Sequence, residues 1–365
     1  MFRENFIKGL CHAKDAEPEL LKETGFNWLR WGFREPFNPD GSFSESYFET
    51  KKKLKELREY GFKIMMITPN PGRYVKIGID PSSAEGLKQV EDLTAKIAED
   101  FAGLVDGWQI TNEMNVYFFR APLNFDQSID FIAAGLRGVR RIDKDILLGF
   151  NMSEFSESSQ YMTKKLLEHK HLFNYLGYDG YYGTWIKGTP QDYIDTLDRI
   201  YDVTGLPIII QEFGFASEGD IIEPGDYDKY VQTLGFKNFD DAKDRCEEFL
   251  ELIPKRMSEM IKTSPREDWP DNIWLLESHL VRKWSGGSSE LPHTREGQAK
   301  FYEELLPKLA KHERLIGIFI FSWKDETECF FCHEKDCPCE TAWGLNDYQG
   351  NPKPAYQVVK KYLTC

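Results

Sequence analysis

Short apolar runs alternate with longer amphipathic stretches through almost the whole chain, and this alternation limits the fold more than any single motif. Runs such as Phe62–Thr68 (FKIMMIT), Ile146–Asn151 (ILLGFN) and Ile316–Trp323 (IGIFIFSW) are short and nearly continuous in apolar residues. Strands covered on both faces read this way. The pattern predicts strands at Asn5–Leu10, Asn27–Phe33, Phe62–Thr68, the run ending near Glu113, Ile146–Asn151, a weaker segment before Tyr181-Tyr182, Pro207–Phe213 and Ile316–Trp323. Amphipathic spacing predicts helices at Pro18–Thr24, Glu45–Tyr60, Ser82–Phe101, about 126–141, Glu157–Leu172, about 191–204, Thr294–Lys311 and about 354–363. Strand–helix units of this number, in 365 residues, match an α/β fold of the (β/α)8 TIM-barrel kind built as one domain over residues 1–365. A doubly wound open sheet is the main rival, but no Gly-rich phosphate loop follows an early strand.

Two stretches fall outside the repeating unit. Because Thr294–Lys311 has a Thr cap and an apolar helical face, about 217–293 is left as an insertion between strands seven and eight, with a helix expected near Asp240–Lys262. Inserts of that length at a barrel's catalytic face are usually lids or binding walls. A smaller loop, about 325–342, follows strand eight and holds Cys329, Cys332, Cys337 and Cys339.

Two strand ends carry chemistry. Asp106–Asn115 (DGWQITNEMN) begins as an apolar strand and then delivers Thr111, Asn112, Glu113 and Asn115. Such a run does not belong in a core, since burying unpaired polar groups costs several kcal/mol. Glu212 closes the second such strand, in Pro207–Gly214 (PIIIQEFG). Active sites of (β/α)8 barrels lie at the C-terminal ends of the strands, so the two glutamates would meet only in the folded barrel. A carboxyl pair across one pocket suits glycosidic cleavage: a protonated acid serves the leaving oxygen, and an ionised partner serves the anomeric carbon. A lone Glu at a strand end is more often a solvated rim residue; the pair, each behind an apolar strand, argues otherwise.

The composition agrees. A net charge of −14 argues against nucleic acid or an anionic membrane as partner. A neutral ligand is expected, and an aromatic content of 14% suits sugar rings. No apolar run approaches the ~18–20 residues that span a bilayer. The N-terminus MFRENFIKGLCHA lacks an apolar signal core, and the seven cysteines are odd in number, with Cys11, Cys246 and Cys365 scattered. A cytoplasmic location is therefore expected, with secretion the alternative if a leader has been removed.

With these residues in view, the chain resembles the clan A retaining glycoside hydrolases, the (β/α)8 superfamily that includes cellulases and β-galactosidases. In that clan strand four ends in Asn-Glu, as Asn112-Glu113 does here, the Glu being the acid/base. Strand seven ends in the nucleophile, often within Glu-Phe-Gly, as in Glu212-Phe213-Gly214. The segment Gly344–Tyr356 (GLNDYQGNPKPAY) is similar to the clan's closing stretch. The resemblance covers nearly the whole chain without fixing a family, and it implies cleavage of β-glycosidic bonds in a carbohydrate substrate with no catalytic cofactor. A transglycosylase using the same glutamates, or a carbohydrate-binding barrel without activity, are the alternatives.

It also assigns supporting roles. Arg30, with Arg34 its competitor, would hold the nucleophile ionised, and Asn112 would bind the sugar's 2-hydroxyl. A Tyr after strand six would contact the nucleophile, and of Tyr181 and Tyr182 the second is chosen. Trp323, where the clan's eighth strand commonly ends in Trp, would stack beneath the sugar. His12, after strand one, is a further candidate for a hydroxyl contact. Strand three departs from the clan by ending in Thr68-Pro69-Asn70, where many members carry His. The cysteine cluster has the spacing C-x2-C-x4-C-x-C, which fits a structural Zn2+ held by Cys329, Cys332, Cys337 and Cys339. Two disulfides and four free thiols are the other readings.

Overall fold

Eight parallel strands close into a barrel in the computed structural model, which describes residues 1–13, 16–288 and 290–364. In chain order they are β1 (Ile7–Leu10), β2 (Trp28–Gly32), β3 (Lys63–Ile67), β4 (Gly107–Ile110), β5 (Leu147–Ser153), β6 (Tyr175–Gly180), β7 (Ile208–Phe213) and β8 (Leu315–Ile320). Each pairs with its sequence neighbour, and β8 closes the ring on β1 with Ile7 opposite Gly317 and Leu10 opposite Ile320. The strands are built from the short apolar runs, whose side chains face either the barrel interior or the helical layer outside.

Each strand leads to a helix: α1 (Pro18–Thr24), α2 (Glu45–Glu59), α3 (Ala84–Asp100), α4 (Phe125–Ile142), α5 (Glu157–Leu166), α6 (Pro190–Thr204), α7 (Arg295–Lys311) and α8 (Pro354–Thr364). Their starts are written in the sequence. Ser44, Ser83, Ser156 and Thr294 accept a first-turn amide, and Asn124–Gln127 and Thr189–Asp192 form capping boxes. Inside the wall space is tight: a Cβ at Gly177 would lie 2.8 Å from the Phe150 carbonyl oxygen, so only glycine fits that point of β6.

The segment between β7 and α7 is helical but broken. In place of one helix over Asp240–Lys262 there are three, Phe239–Asp244, Cys246–Leu252 and Lys255–Lys262. Pro254 has no amide to donate, and Arg245 leaves the helical region at φ −107°, ψ 40°. The apolar side chains of this segment form a second core that includes Phe249, Met257, Ile273, Leu276 and Trp284, into which Cys329, Cys337 and Trp343 also pack. Lys353 pins the loop after β8 from beneath: its ammonium donates to Asp325 Oδ1 (2.9 Å) and to Ser217 Oγ (2.9 Å), fully out of water. No helix among the described residues is long and apolar enough to cross a membrane.

Candidate active site

The end of β4 is held in a conformation that ordinary residues avoid. Thr111 and Glu113 both have positive φ, 58° and 42°. Their amides can no longer pair with a neighbouring strand, and side chains from adjacent strand ends replace that pairing. Thr68 Oγ1 accepts from Thr111 N (2.9 Å), Asn70 Oδ1 from Asn112 N (3.1 Å) and Asn151 Oδ1 from Glu113 N (3.0 Å). Three consecutive amides are thus satisfied by three side chains, which is how a strained turn persists at a functional position. Met114 is fully buried, and Asn115 exchanges two hydrogen bonds with the backbone of Ser153, docking the loop on β5.

Arg30 organises the opposite wall. From the middle of β2 its guanidinium donates to Glu212 Oε1 (2.5 Å), Asn112 Oδ1 (2.6 Å) and Gln109 Oε1 (2.8 Å). One buried cation thereby fixes the ends of β4 and β7 at once. Arg34 lies beyond the end of β2, and no contact ties it to either glutamate. Asn112 Oδ1 also accepts from Asn151 (3.0 Å), while its Nδ2 has no protein acceptor among the described residues.

Glu212 accepts a second hydrogen bond from the hydroxyl of Tyr181 (2.7 Å). The expectation that Tyr182 takes this place is corrected: its hydroxyl pairs with Thr196 on α6 (2.7 Å), on the helical side of the wall. Alternation along β6 carries through: Tyr175, Asp179 and Tyr181 face the barrel interior, while Tyr178 and Tyr182 face the helical layer. The burial of Tyr181 and the nearby Glu212 charge push its phenol well above the usual range, so it stays a donor.

Trp323 does not form a floor to the site. It is buried against Tyr356 of α8, ring centroids 6.0 Å apart, and its carbonyl accepts from Asn346. Strand β8 ends three residues before it, and the aromatic at the barrel mouth is Phe321, whose ring lies 4.8 Å from His12 and 6.2 Å from Tyr181. His12, exposed and at φ 52°, follows β1 edge-on to that ring. Trp284 is buried in the second core.

Glu113 has an unusual environment. Burial first, and the Glu212 charge second, push its carboxyl up to about 7, against the opposing pull of Ser153, Asp179 and Arg30. A third carboxyl, Asp179 at the end of β6, is completely buried and accepts from Asn151 Nδ2 (2.5 Å). Burial and the charges of Glu212 and Glu113 drive it well above the usual carboxylate range. Its Oδ1 has no hydrogen-bond partner among the described residues, and the neighbouring Glu113 carboxyl can meet Asp179 in a hydrogen bond when one of the two acids carries the proton. Glu340, from the short helix Pro338–Thr341 in the cysteine loop, is a fourth: burial, then Glu212, pushes it up to about 8.

The structure therefore brings together Arg30, Asn112, Glu113 and Glu212, with Tyr181 in the place expected for Tyr182, and adds Gln109, Asn151, Asp179 and Glu340, which the sequence reading missed. Asp179 carried the same signal that marked Glu113, an acid closing an apolar strand. Glu340 had none, because its place depends on the path of a loop.

Comparison with known proteins addresses the architecture. No protein-family model matches the chain, and no curated protein sequence matches it. Solved structures do. The catalytic domain of a family 53 glycoside hydrolase from Ignisphaera aggregans superposes with a TM-score of 0.63 at 17% identity, covering 97% of this chain and 95% of that one. Xylanase 10B from Thermotoga maritima gives 0.60 at 16% identity, with 99% and 95% covered. A family 2 β-galacturonidase from Eisenbergiella tayi gives 0.56 at 15%, covering 98% of this chain but 50% of that one, so the present chain spans about half its length. What is shared is the barrel. These neighbours are (β/α)8 glycoside hydrolases of clan A, whose resemblance the strand-end motifs also carry.

Among the described residues all six cysteines are free thiols. Of the expected four-cysteine site, Cys329 and Cys337 lie together with His279, whose Nδ1 is 3.4 Å from Cys329 and 3.9 Å from Cys337, while Cys339 approaches Cys337 from outside that group.

Proposed function

We propose that this chain is a retaining β-glycosidase, acting by double displacement on a carbohydrate. The observation that carries the reading is the unlike treatment of two carboxyls at one end of the barrel. Arg30 and Tyr181 both donate to Glu212, which suits an ionised nucleophile, while burial and the Glu212 charge raise Glu113 to about 7, which suits an acid that still holds its proton near neutrality.

In this scheme Glu212 attacks the anomeric carbon as the glycosidic C–O bond breaks, and the Glu113 proton passes to the departing oxygen. Glu113, now ionised, takes a proton from water, whose oxygen attacks the anomeric carbon and releases Glu212. Asn112 Nδ2 meets the sugar's 2-hydroxyl, a contact that strengthens in the transition state. Asp179, holding a proton against Glu113, steadies the ionised form that appears after the first step. No catalytic metal or organic cofactor enters the scheme.

Azide separates the two roles. Glu212→Ala should lose turnover of an aryl β-glycoside and, with azide, yield the α-glycosyl azide. Glu113→Ala with azide should yield the β-glycosyl azide. Full activity of Glu212→Ala without azide refutes the assignment.

A further inference from the structure

The cysteine loop folds around a residue from another part of the chain. Cys329 and Cys332 form a tight turn in which His333 N donates to Cys329 O (2.9 Å) and Cys329 N to Glu334 O (3.0 Å). The turn points its two sulfurs inward, Cys332 touching both Cys329 and Cys337. His333, the histidine within the motif, turns outward to Glu328 and is exposed. His279 enters instead, from the helix Glu277–Val281 in the segment between β7 and α7.

The donor atoms of His279, Cys329 and Cys337 all lie within 4.8 Å of one another. Nδ1 is 3.4 Å from one sulfur and 3.9 Å from the other. Tetrahedral zinc, with Zn–S of about 2.3 Å and Zn–N of about 2.0–2.1 Å, sets its ligands roughly 3.5–3.8 Å apart. Nδ1 already has nearly that spacing from both sulfurs, and drawing in the Cys332 sulfur from its contact with Cys329 and Cys337 completes the tetrahedron. All four side chains are buried, Cys329 and Cys337 at 0% exposure, Cys332 at 7% and His279 at 6%. Three packed thiols and an imidazole are a soft donor set of the structural-zinc kind, and a closed one with no position left for water.

We propose that His279, Cys329, Cys332 and Cys337 bind one Zn2+ ion, which fastens the segment between β7 and α7 to the loop after β8. Binding replaces three S–H protons by three Zn–S bonds, releases those protons and involves no redox change. Surface pairs such as Arg282–Asp336 (2.5 Å) bridge the same two segments and set the approach. The ion has no part in bond cleavage. Three residues after Cys337 the chain presents Glu340 to the carboxyl cluster, so the zinc acts as a positioning element for one wall of the candidate site.

The test is metal content, which does not depend on the hydrolase reading. Protein from zinc-supplemented cultures, purified with reductant and without chelator, should carry about one zinc per chain by inductively coupled plasma mass spectrometry. Replacement by Co2+ should give the intense visible bands of a tetrahedral site with thiolate-to-cobalt charge transfer. His279→Ala and Cys337→Ser should each lose most of the metal, while Cys339→Ser retains it; circular dichroism of each variant confirms folding. Where a variant fails to fold, the wild-type cobalt spectrum decides: tetrahedral thiolate bands support the site, and octahedral bands overturn it. Zinc below about a tenth of an equivalent in folded wild type, a Cys329–Cys337 disulfide in the peptide map, or loss of zinc in Cys339→Ser with retention in His279→Ala each overturns the proposal.

Discussion

Replacing Tyr181 by Phe removes one oxygen and little else. The phenol ring is buried, edge-on to Trp343 at 5.1 Å and to Phe321 at 6.2 Å, and those contacts survive the change. What is lost is the 2.7 Å hydrogen bond to Glu212. Hydrogen bonds to a charged partner contribute about 1.5–3 kcal/mol, and Arg30 still holds the other carboxylate oxygen, so the lower part of that range applies. At ~1.4 kcal/mol per factor of ten, kcat/KM on an aryl β-glycoside should fall roughly 10- to 30-fold. The midpoint of thermal unfolding should move little, because Glu212 keeps its bond to Arg30 and remains partly open to water. Tyr182→Phe gives the contrast: its hydroxyl serves Thr196, so kcat/KM should stay within about 3-fold of wild type, with a loss of about 1 kcal/mol in stability. Equal activity losses in the two variants, or a Tyr181→Phe enzyme as fast as wild type, refute the assignment of Tyr181 to the nucleophile.

Other expectations follow from the same contacts. Above a pH of about 7 kcat/KM should decline as Glu113 loses its proton, and Glu113→Gln should remove that limb of the pH profile. Glu113 binds its proton more tightly folded than unfolded, so its contribution to stability is full below about 4.5 and is lost as pH rises through about 7. Glu113→Gln should therefore melt higher than wild type above pH 7 and show little gain below pH 4.5, as read by calorimetry at both ends. Lys353→Met strands the buried Asp325 carboxylate and should lower stability by about 3–5 kcal/mol in denaturant melts. Gly177→Ala drives a methyl against the Phe150 carbonyl in the barrel wall and should cost roughly 1–3 kcal/mol.

The barrel was legible because its signals are local. Each short apolar run and each Ser, Thr or Asn cap acts within a few residues, and strand order then follows from chain order. Glu113 and Glu212 were legible for a related reason: an acid that ends an apolar strand has nowhere to go but the mouth of the barrel. Readings that needed a facing direction did worse. Tyr182 was preferred to Tyr181 because neighbouring residues face opposite ways and the sequence does not say which faces inward, whereas the alternation that brings Asp179 into the barrel brings Tyr181 there too. Trp323 was taken for the last residue of strand eight, whereas the strand stops at Ile320 and the chain turns before the Trp is reached. Tertiary partners were the least accessible. Nothing near the cysteine motif points to His279, and the helix over Asp240–Lys262 was expected to be continuous although Pro254 lies within it.

The central claim is that Glu212 becomes covalently bound to the sugar while Glu113 handles the proton. Incubation with a panel of 2-deoxy-2-fluoro-β-glycosides bearing a dinitrophenolate leaving group, followed by intact-mass and peptide mapping, tests it most directly. The account predicts one added glycosyl mass on the peptide containing Glu212, formed with release of dinitrophenolate and absent from Glu212→Gln. Attachment at Glu113 or Asp179, or turnover of the parent β-glycoside that releases the α-anomer first, contradicts it.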